Sequence, residues 1–207
     1  LVTVLLDASS SIGCRKLENA VRDGYNLLVH TFASSRQQES IMMALWTFND
    51  QPKVVHSYLP VNEAAKLDPT NYRSGGATSL YDTWCDALAA NVAYAQQLRD
   101  SGTPCRSVVV VITDGEDVSS RRRVGDCARL SRDLLASEQF VLAFVGVGSD
   151  VNFQTVARNM GIPDGCITVQ ANATAQTLHH VFQMVSQSAI RLSRAWVSPG
   201  GSSGFFN

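Results

Sequence analysis

Apolar runs alternate with helical stripes along the whole chain. Leu1–Leu6 is a near-continuous apolar run that ends in Asp7, the pattern of a strand covered on both faces. Leu17, Val21, Leu28 and Phe32 then recur at helical spacing, with Tyr25 on the same side. Ile41–Phe48 reads as a second strand. Val54–Leu59 is shorter and more mixed, which suits an edge strand hairpin-linked through Asn49–Pro52. Trp84, Leu88, Val92 and Ala95 mark a helix over Leu80–Arg99. "SVVVVIT", Ser107–Thr113, is the strongest strand signal: β-branched, uncharged and short. A helix follows with Val124, Cys127, Ala128, Leu134 and Leu135 on one stripe, then a buried strand, Phe140–Val147. Phe153, Val156, Ala157 and Met160 give a short helix, stopped by Gly161 and Pro163. Cys166–Val169 is the last strand. Leu178, Val181, Phe182, Val185, Ala189 and Leu192 form the stripe of the last helix, Ala175–Arg194.

This alternation predicts an α/β fold, Rossmann-like and doubly wound, with helices on both faces of a mostly parallel sheet. There is no internal repeat and no second core, so residues 1–195 form one domain. Residues 196–207, "WVSPGGSSGFFN", read as a Gly/Ser-rich flexible tail in which Phe205 and Phe206 could dock on a partner.

Composition narrows the function classes. Among 207 residues, 45% are hydrophobic and 17% charged, enough apolar surface for a core. A net charge of -1 argues against a sequence-independent grip on nucleic acid, which needs a basic face. No apolar run reaches the roughly 18 residues that span a bilayer, and a monomer is expected. No signal peptide is visible, but the chain starts without Met inside a strand, as a piece of something longer would. Five cysteines, Cys14, Cys85, Cys105, Cys127 and Cys166, include no CxxC pair and no zinc-ligand spacing. Free thiols in a reducing, cytoplasmic compartment are the plain reading. An extracellular setting with one or two disulfides is the alternative if the segment belongs to an exported protein, and only then would the sequon at Asn172 matter.

In open α/β sheets, ligands bind at the carboxyl ends of the strands where strand order reverses. "DASSSIG" follows the first strand, with Asp7, Ser9, Ser11 and Gly13. "TDGED" follows the strongest strand, with Asp114. "GGATSLYD" precedes a long helix, with Thr78. If the first and fourth strands are neighbours, these loops meet. They offer oxygen only, which suits Mg²⁺, Mn²⁺ or Ca²⁺. Asp7 and Asp114 carry enough charge to balance one divalent cation. The hydroxyls of Ser9, Ser11 and Thr78 add ligands without charge, leaving the ion able to accept an outside carboxylate.

Together these residues resemble the von Willebrand factor A (vWA) domains. "DASSS" fits their D-x-S-x-S pattern, and Thr78 and Asp114 match the other two elements of their metal ion-dependent adhesion site (MIDAS). The resemblance covers residues 1–194. In "GGATSLYD", "TDGED" and "MGIP" it is closest in look to uncharacterised bacterial members. It implies that the two serines ligate the ion directly, and that Thr78, Asp7 and Asp114 do so directly or through water. An acidic residue of a protein partner would complete the coordination. It also implies strand order 3-2-1-4-5-6 with the third strand antiparallel, and in some members a shift of the last helix. Mg²⁺ is favoured by availability, with Mn²⁺ or Ca²⁺ as alternatives.

Each residue also has a plainer reading. Asp7 could cap the next helix, and Thr78 could be the N-cap of Leu80–Arg99. Asp82 could serve the dipole of that helix, Glu116 and Asp117 could be solvated, and Arg121–Arg123 could form a solvated face. Ser10 is expected to face solvent or bond nearby backbone. Of His179 and His180, one is expected exposed and the other partly packed; Trp46 and Trp84 look like core. Three function classes compete. A non-enzymatic metal-dependent binding module leads. A metal-dependent phosphatase-type hydrolase is disfavoured because Ser9 stands where a second aspartate would be needed. No G-x-S-x-G elbow of a serine hydrolase appears, and no G-x-G-x-x-G opens a helix after the first strand to support a dinucleotide enzyme. The third class is a scaffold with a structural or empty site.

Overall fold

The computed structural model describes residues 1–195 and 204–206. Six strands form one sheet: β1 (Val2–Asp7), β2 (Met42–Phe48), β3 (Pro52–Pro60), β4 (Ser107–Thr113), β5 (Phe140–Val147) and β6 (Ile167–Gln170). Six helices accompany them: α1 (Ser10–Cys14), α2 (Glu18–Ala33), α3 (Leu80–Asp100), α4 (Val124–Leu135), α5 (Phe153–Asn159) and α6 (Ala175–Ala195). The strand order is β3-β2-β1-β4-β5-β6. Every neighbouring pair is parallel except β2 and β3, which are antiparallel. This is the doubly wound, mostly parallel sheet with one antiparallel edge strand that the pattern predicts.

Burial explains why the central strands read so clearly. Every residue of β1, β4 and β5 is buried. A strand covered on both faces needs apolar side chains at every position rather than at alternate ones. Val109, Val110 and Val111 are fully inaccessible, and truncating one to alanine would cost on the order of 1–3 kcal/mol. The edge strand β3 is mostly exposed or half-buried. It carries proline at both ends, where a missing N–H costs no ladder hydrogen bond. On one side of the sheet, α2 packs closely along α6. Gly24 permits this approach, because a Cβ there would lie 2.1 Å from the Phe182 ring.

Two local features differ from expectation. The serine cluster after β1 is not loop but a one-turn helix, α1, too short for a periodic stripe to announce it. Within the predicted flexible tail, Phe205 is buried. Its carbonyl accepts from Arg191 Nη2 at 2.8 Å, and Phe206 N donates to Gly165 O at 3.3 Å. Residues 196–203 and 207 of the tail lie outside the described residues. All five cysteines are free, with Cys85 Sγ and Cys127 Sγ 3.7 Å apart between α3 and α4. Among the described residues, no helix is long and apolar enough to cross a membrane.

The chain runs from β1 to β2 on one side and reaches β4 on the other, so strand order reverses between β1 and β4. Leu6 pairs with Ile112, the last pair of that ladder, which brings Asp7 level with Thr113 and next to Asp114. The topology therefore delivers two acid-bearing loops to the switch point.

Candidate metal centre

Asp7 is fixed from every side. Its carbonyl accepts the Tyr72 hydroxyl at 2.6 Å, and the next residue, Ala8, extends the β1–β2 ladder through Ala8 N to Phe48 O at 2.7 Å. Its carboxylate accepts from Ser9 N at Oδ1 (2.7 Å) and from Thr113 Oγ1 at Oδ2 (2.6 Å). Ser9 occupies the N-cap position of α1 with extended backbone, yet its hydroxyl makes no capping hydrogen bond. That oxygen lies instead 3.0 Å from Ser11 Oγ, and Ser11 Oγ donates to Asp114 Oδ1 at 2.6 Å. A capping serine normally turns inward to the helix amides; here the hydroxyl is kept for the neighbouring side chains.

Thr78 arrives on the segment before α3. Gly75 N donates to Ala8 O at 2.8 Å, and Gly76 O accepts from both Ser10 N (3.1 Å) and Ser10 Oγ (2.8 Å). Ser10 thus bonds nearby backbone. On the far side, Thr78 O accepts from Val118 N (2.8 Å) and Ser119 N (3.1 Å), which ties this segment to the loop after Asp114. Thr78 is buried, and a Cβ built on Gly115 would lie 3.4 Å from Thr78 Oγ1 and 4.0 Å from Asp7 Oδ2. The threonine hydroxyl and the Asp7 carboxylate therefore border one small space. Thr78 is not the N-cap of α3. Ser79 takes that position, and its buried hydroxyl has no hydrogen-bond partner.

All five sequence-predicted oxygen donors are thus brought together. Asp7 is 2% exposed, Ser9 3% and Asp114 4%, so the two acids are removed from water. Burial pushes the Asp7 carboxyl up to about 6, against hydrogen bonds from Ser9 and Thr113 that favour its charged form; the charge on Asp114 adds to the rise. Asp114 is also raised by burial, with Ser11 and Arg15 opposing. A small cavity of about 10 Å³ beneath the acids is lined by Leu6, Ile12, Ile112 and Leu178, which accounts for the desolvation.

The donor set fits a small divalent cation. It contains only hard oxygens, and its two carboxylates lie close enough that the charge on Asp114 raises Asp7. Cis ligands around an octahedral ion at about 2.0–2.1 Å lie roughly 2.9 Å apart. The Ser9–Ser11 and Ser11–Asp114 separations of 3.0 and 2.6 Å bracket that edge length. Among the described residues no three His, Cys, Asp or Glu side chains cluster, so a cation here would depend on hydroxyl or water oxygens as well.

One residue of the site escaped sequence reasoning. Arg15 follows α1, and its Nη1 donates to Asp114 Oδ2 at 2.7 Å while Nη2 donates to Asp150 Oδ2 at 2.6 Å. The local signal is only a cation four residues beyond Ser11; its partners, Asp114 and Asp150, lie far away in sequence. The balance of two acids against one divalent ion therefore needs correction, because Asp114 already has a cationic partner.

The surrounding acids build the frame. Asp82 accepts from Arg121 N (3.0 Å) and Arg122 N (2.9 Å), and Asp117 from Tyr81 N (3.1 Å) and Ser120 Oγ. Arg122 pairs with Asp86 at 2.8 Å. Glu116, Arg121 and Arg123 are exposed. His179 and His180 are both exposed, contrary to the expected partial packing of one; Trp84 is core and Trp46 only half-buried.

A family model described as von Willebrand factor type A domain matches residues 2–184. No curated protein matches the sequence. Among solved structures, the chain is similar to a von Willebrand factor type A protein from Catenulispora acidiphila (16% identity, TM-score 0.61), covering 91% of this chain and 42% of that one. The pilus adhesin SpaC from Lactobacillus rhamnosus GG, in an open conformation, matches at 14% identity and TM-score 0.64, over 93% of this chain and 30% of that one. Proximal thread matrix protein 1 from the mussel byssus, with a zinc-occupied MIDAS motif, matches at 16% identity and TM-score 0.61, over 91% and 45%. The chain spans less than half the length of each of these three proteins. At such identities the likeness is one of fold.

Proposed function

The chain belongs to the von Willebrand factor type A domain family, and on that premise we propose that it is a non-enzymatic, metal-dependent protein-binding module. Asp7, Ser9, Ser11, Thr78 and Asp114 would hold one divalent cation, Mg²⁺ first by availability and Mn²⁺ or Ca²⁺ otherwise. The observation that carries this reading is the hydrogen-bonded run Ser9–Ser11–Asp114 beside a desolvated Asp7, all at one strand-order reversal. The bound ion supplies a Lewis acid to which the carboxylate of a partner's Asp or Glu can coordinate.

This chain's own residues do the rest. Tyr72 and Thr113 fix the aim of Asp7. The extended backbone at Ser9 turns its hydroxyl away from the helix amides. The apolar cavity lining keeps the acids poorly solvated, so a cation gains more from them than it would at the surface. With two acids committed and the other donors neutral, the ion would stay electrophilic and keep a coordination position for an outside carboxylate. The five free thiols support a reducing compartment, and likeness to a pilus adhesin and a byssus protein supports an extracellular one. Alkylation of the thiols in native extract separates the two.

The test is a pull-down from native extract with and without Mg²⁺, using Asp7→Ala as control. Capture of a partner with Mg²⁺, lost with EDTA and in Asp7→Ala while the circular dichroism is unchanged, is the expected result. Undiminished capture after complete metal removal would overturn the proposal. One observation favours a second reading, a scaffold whose site stays empty: Arg15 gives Asp114 a cationic partner without any metal. Calorimetry with Mg²⁺, Mn²⁺ and Ca²⁺ decides, since an empty-site scaffold releases no heat with any of them.

A further inference from the structure

Arg15 connects the loops that follow three different strands. Its guanidinium joins Asp114, whose side chain is 1% exposed, to Asp150, whose side chain is 72% exposed. Arg15 itself is 28% exposed at the side chain, so it lies across the rim between the buried acid and solvent. The loop after β5 is shaped to admit it. Gly148 has φ +125, a conformation side chains rarely adopt, and a Cβ there would lie 3.4 Å from Arg15 Nη1. The two oxygens of Asp114 are thus divided, Oδ1 facing Ser11 and Oδ2 facing Arg15. Arg15 also follows α1 directly, and its backbone N–H closes that helix on Ser11 O at 3.0 Å. The residue that holds Asp114 therefore belongs to the same short turn as the serines.

The charges at the inner site follow from these contacts. Asp7, Asp114 and Arg15 leave one net negative charge among the groups most removed from water. A divalent cation converts that to one net positive charge, and a partner carboxylate returns it to neutrality. Two cations close to one carboxylate repel, and the repulsion is strongest where water is excluded.

We infer that Arg15 is an internal counter-cation: it holds Asp114 in the metal-free domain, opposes metal binding, and leaves the loaded site short of one negative charge that an acidic ligand supplies. This rests on the metal-binding reading above and adds a regulation to it. Metal alone binds more weakly than the five oxygens would allow, and metal and acidic ligand bind cooperatively. Asp150 anchors the guanidinium at the rim and gives it a place to swing when the ion enters.

The test uses Mg²⁺ alone, by calorimetry on the domain, with thermal melting of the metal-free protein as an independent readout. Arg15→Gln is expected to tighten Mg²⁺ about tenfold or more, to lower the melting temperature without metal, and to enlarge the gain in melting temperature when Mg²⁺ is added. Arg15→Lys keeps the charge and is expected to stay within about threefold of wild type, which separates charge from packing. Asp150→Asn changes an exposed residue that the fold does not need. It is expected to weaken Mg²⁺ several-fold, and to do so less in an Arg15→Gln background. Mg²⁺ affinity in Arg15→Gln equal to or weaker than wild type would overturn the inference while leaving the metal site intact. Absence of Mg²⁺ binding in every form would instead overturn the metal-binding reading and this inference with it.

Discussion

Two acid-and-serine loops of this domain use the same residue types to opposite ends. In "DASSSIG", after β1, Asp7 is buried and its neighbouring hydroxyls bond each other and Asp114. In "TDGEDVSSRRR", after β4, the acids beyond Asp114 are half-buried or exposed. Backbone N–H groups there satisfy the helix acid Asp82, which the loop folds over. A carboxylate held by two backbone amides in contact with water is a clamp. A carboxylate withdrawn from water, with hydroxyl oxygens around it and only part of its lone pairs used, has the make-up of the cation ligand proposed above. Burial and the kind of donor, more than residue identity, separate the two.

Removing the buried acid should give the widest gap between the loops. Asp7→Ala is expected to weaken Mg²⁺ by at least about a hundredfold, since a direct or water-bridged anionic contact to a divalent ion in a desolvated site is lost. Asp82→Ala should leave Mg²⁺ affinity within about twofold. Calorimetry on both variants measures the gap, and equal losses would erase the distinction.

The pH dependence of metal-free stability should differ as well. Asp7 is raised in the folded state to about 6, above the usual carboxylate value near 4. The folded protein therefore holds a proton that the unfolded chain has released between those values. Stability without metal is greatest below about pH 4 as far as this group is concerned, and is lost as pH rises through about 6. The loss is on the order of 3 kcal/mol. Urea denaturation in EDTA at pH 4 to 7 should show it, and Asp7→Asn should flatten it. Saturating Mg²⁺ should reverse the trend, because the ion competes with the proton.

Smaller effects should follow from the supporting contacts. Asp82→Ala releases two backbone N–H groups and is expected to cost about 1–2 kcal/mol of stability by denaturation. Thr113→Val removes the hydroxyl that donates to Asp7 Oδ2. It is expected to cost about 1 kcal/mol and to weaken Mg²⁺ only a few-fold, because the carboxylate stays in place.

Most of the fold was readable because the sheet centre is so apolar. Ser107–Thr113 could hardly be anything but a buried strand, and the order of elements then implied the switch point. The five oxygens were readable as a set because they fall just after two central strands and before α3. What was not readable depends on tertiary contact. α1 has no stripe of its own; Ser10 and Ser11 tie it to the loops that carry Gly76 and Asp114. Arg15 has partners 99 and 135 residues away, so no local pattern could assign it. Phe205 lies in a Gly/Ser-rich stretch, yet its burial is set by α6 and Gly165 far from it in sequence.

Anomalous diffraction from crystals soaked in Mn²⁺ tests the metal centre most directly. One peak within coordination distance of Ser9 Oγ and Ser11 Oγ, with Asp7, Asp114 and Thr78 bound directly or through water, is the expected result. No peak at the β1–β4 switch point under saturating Mn²⁺, with these five side chains turned from any common centre, would contradict it.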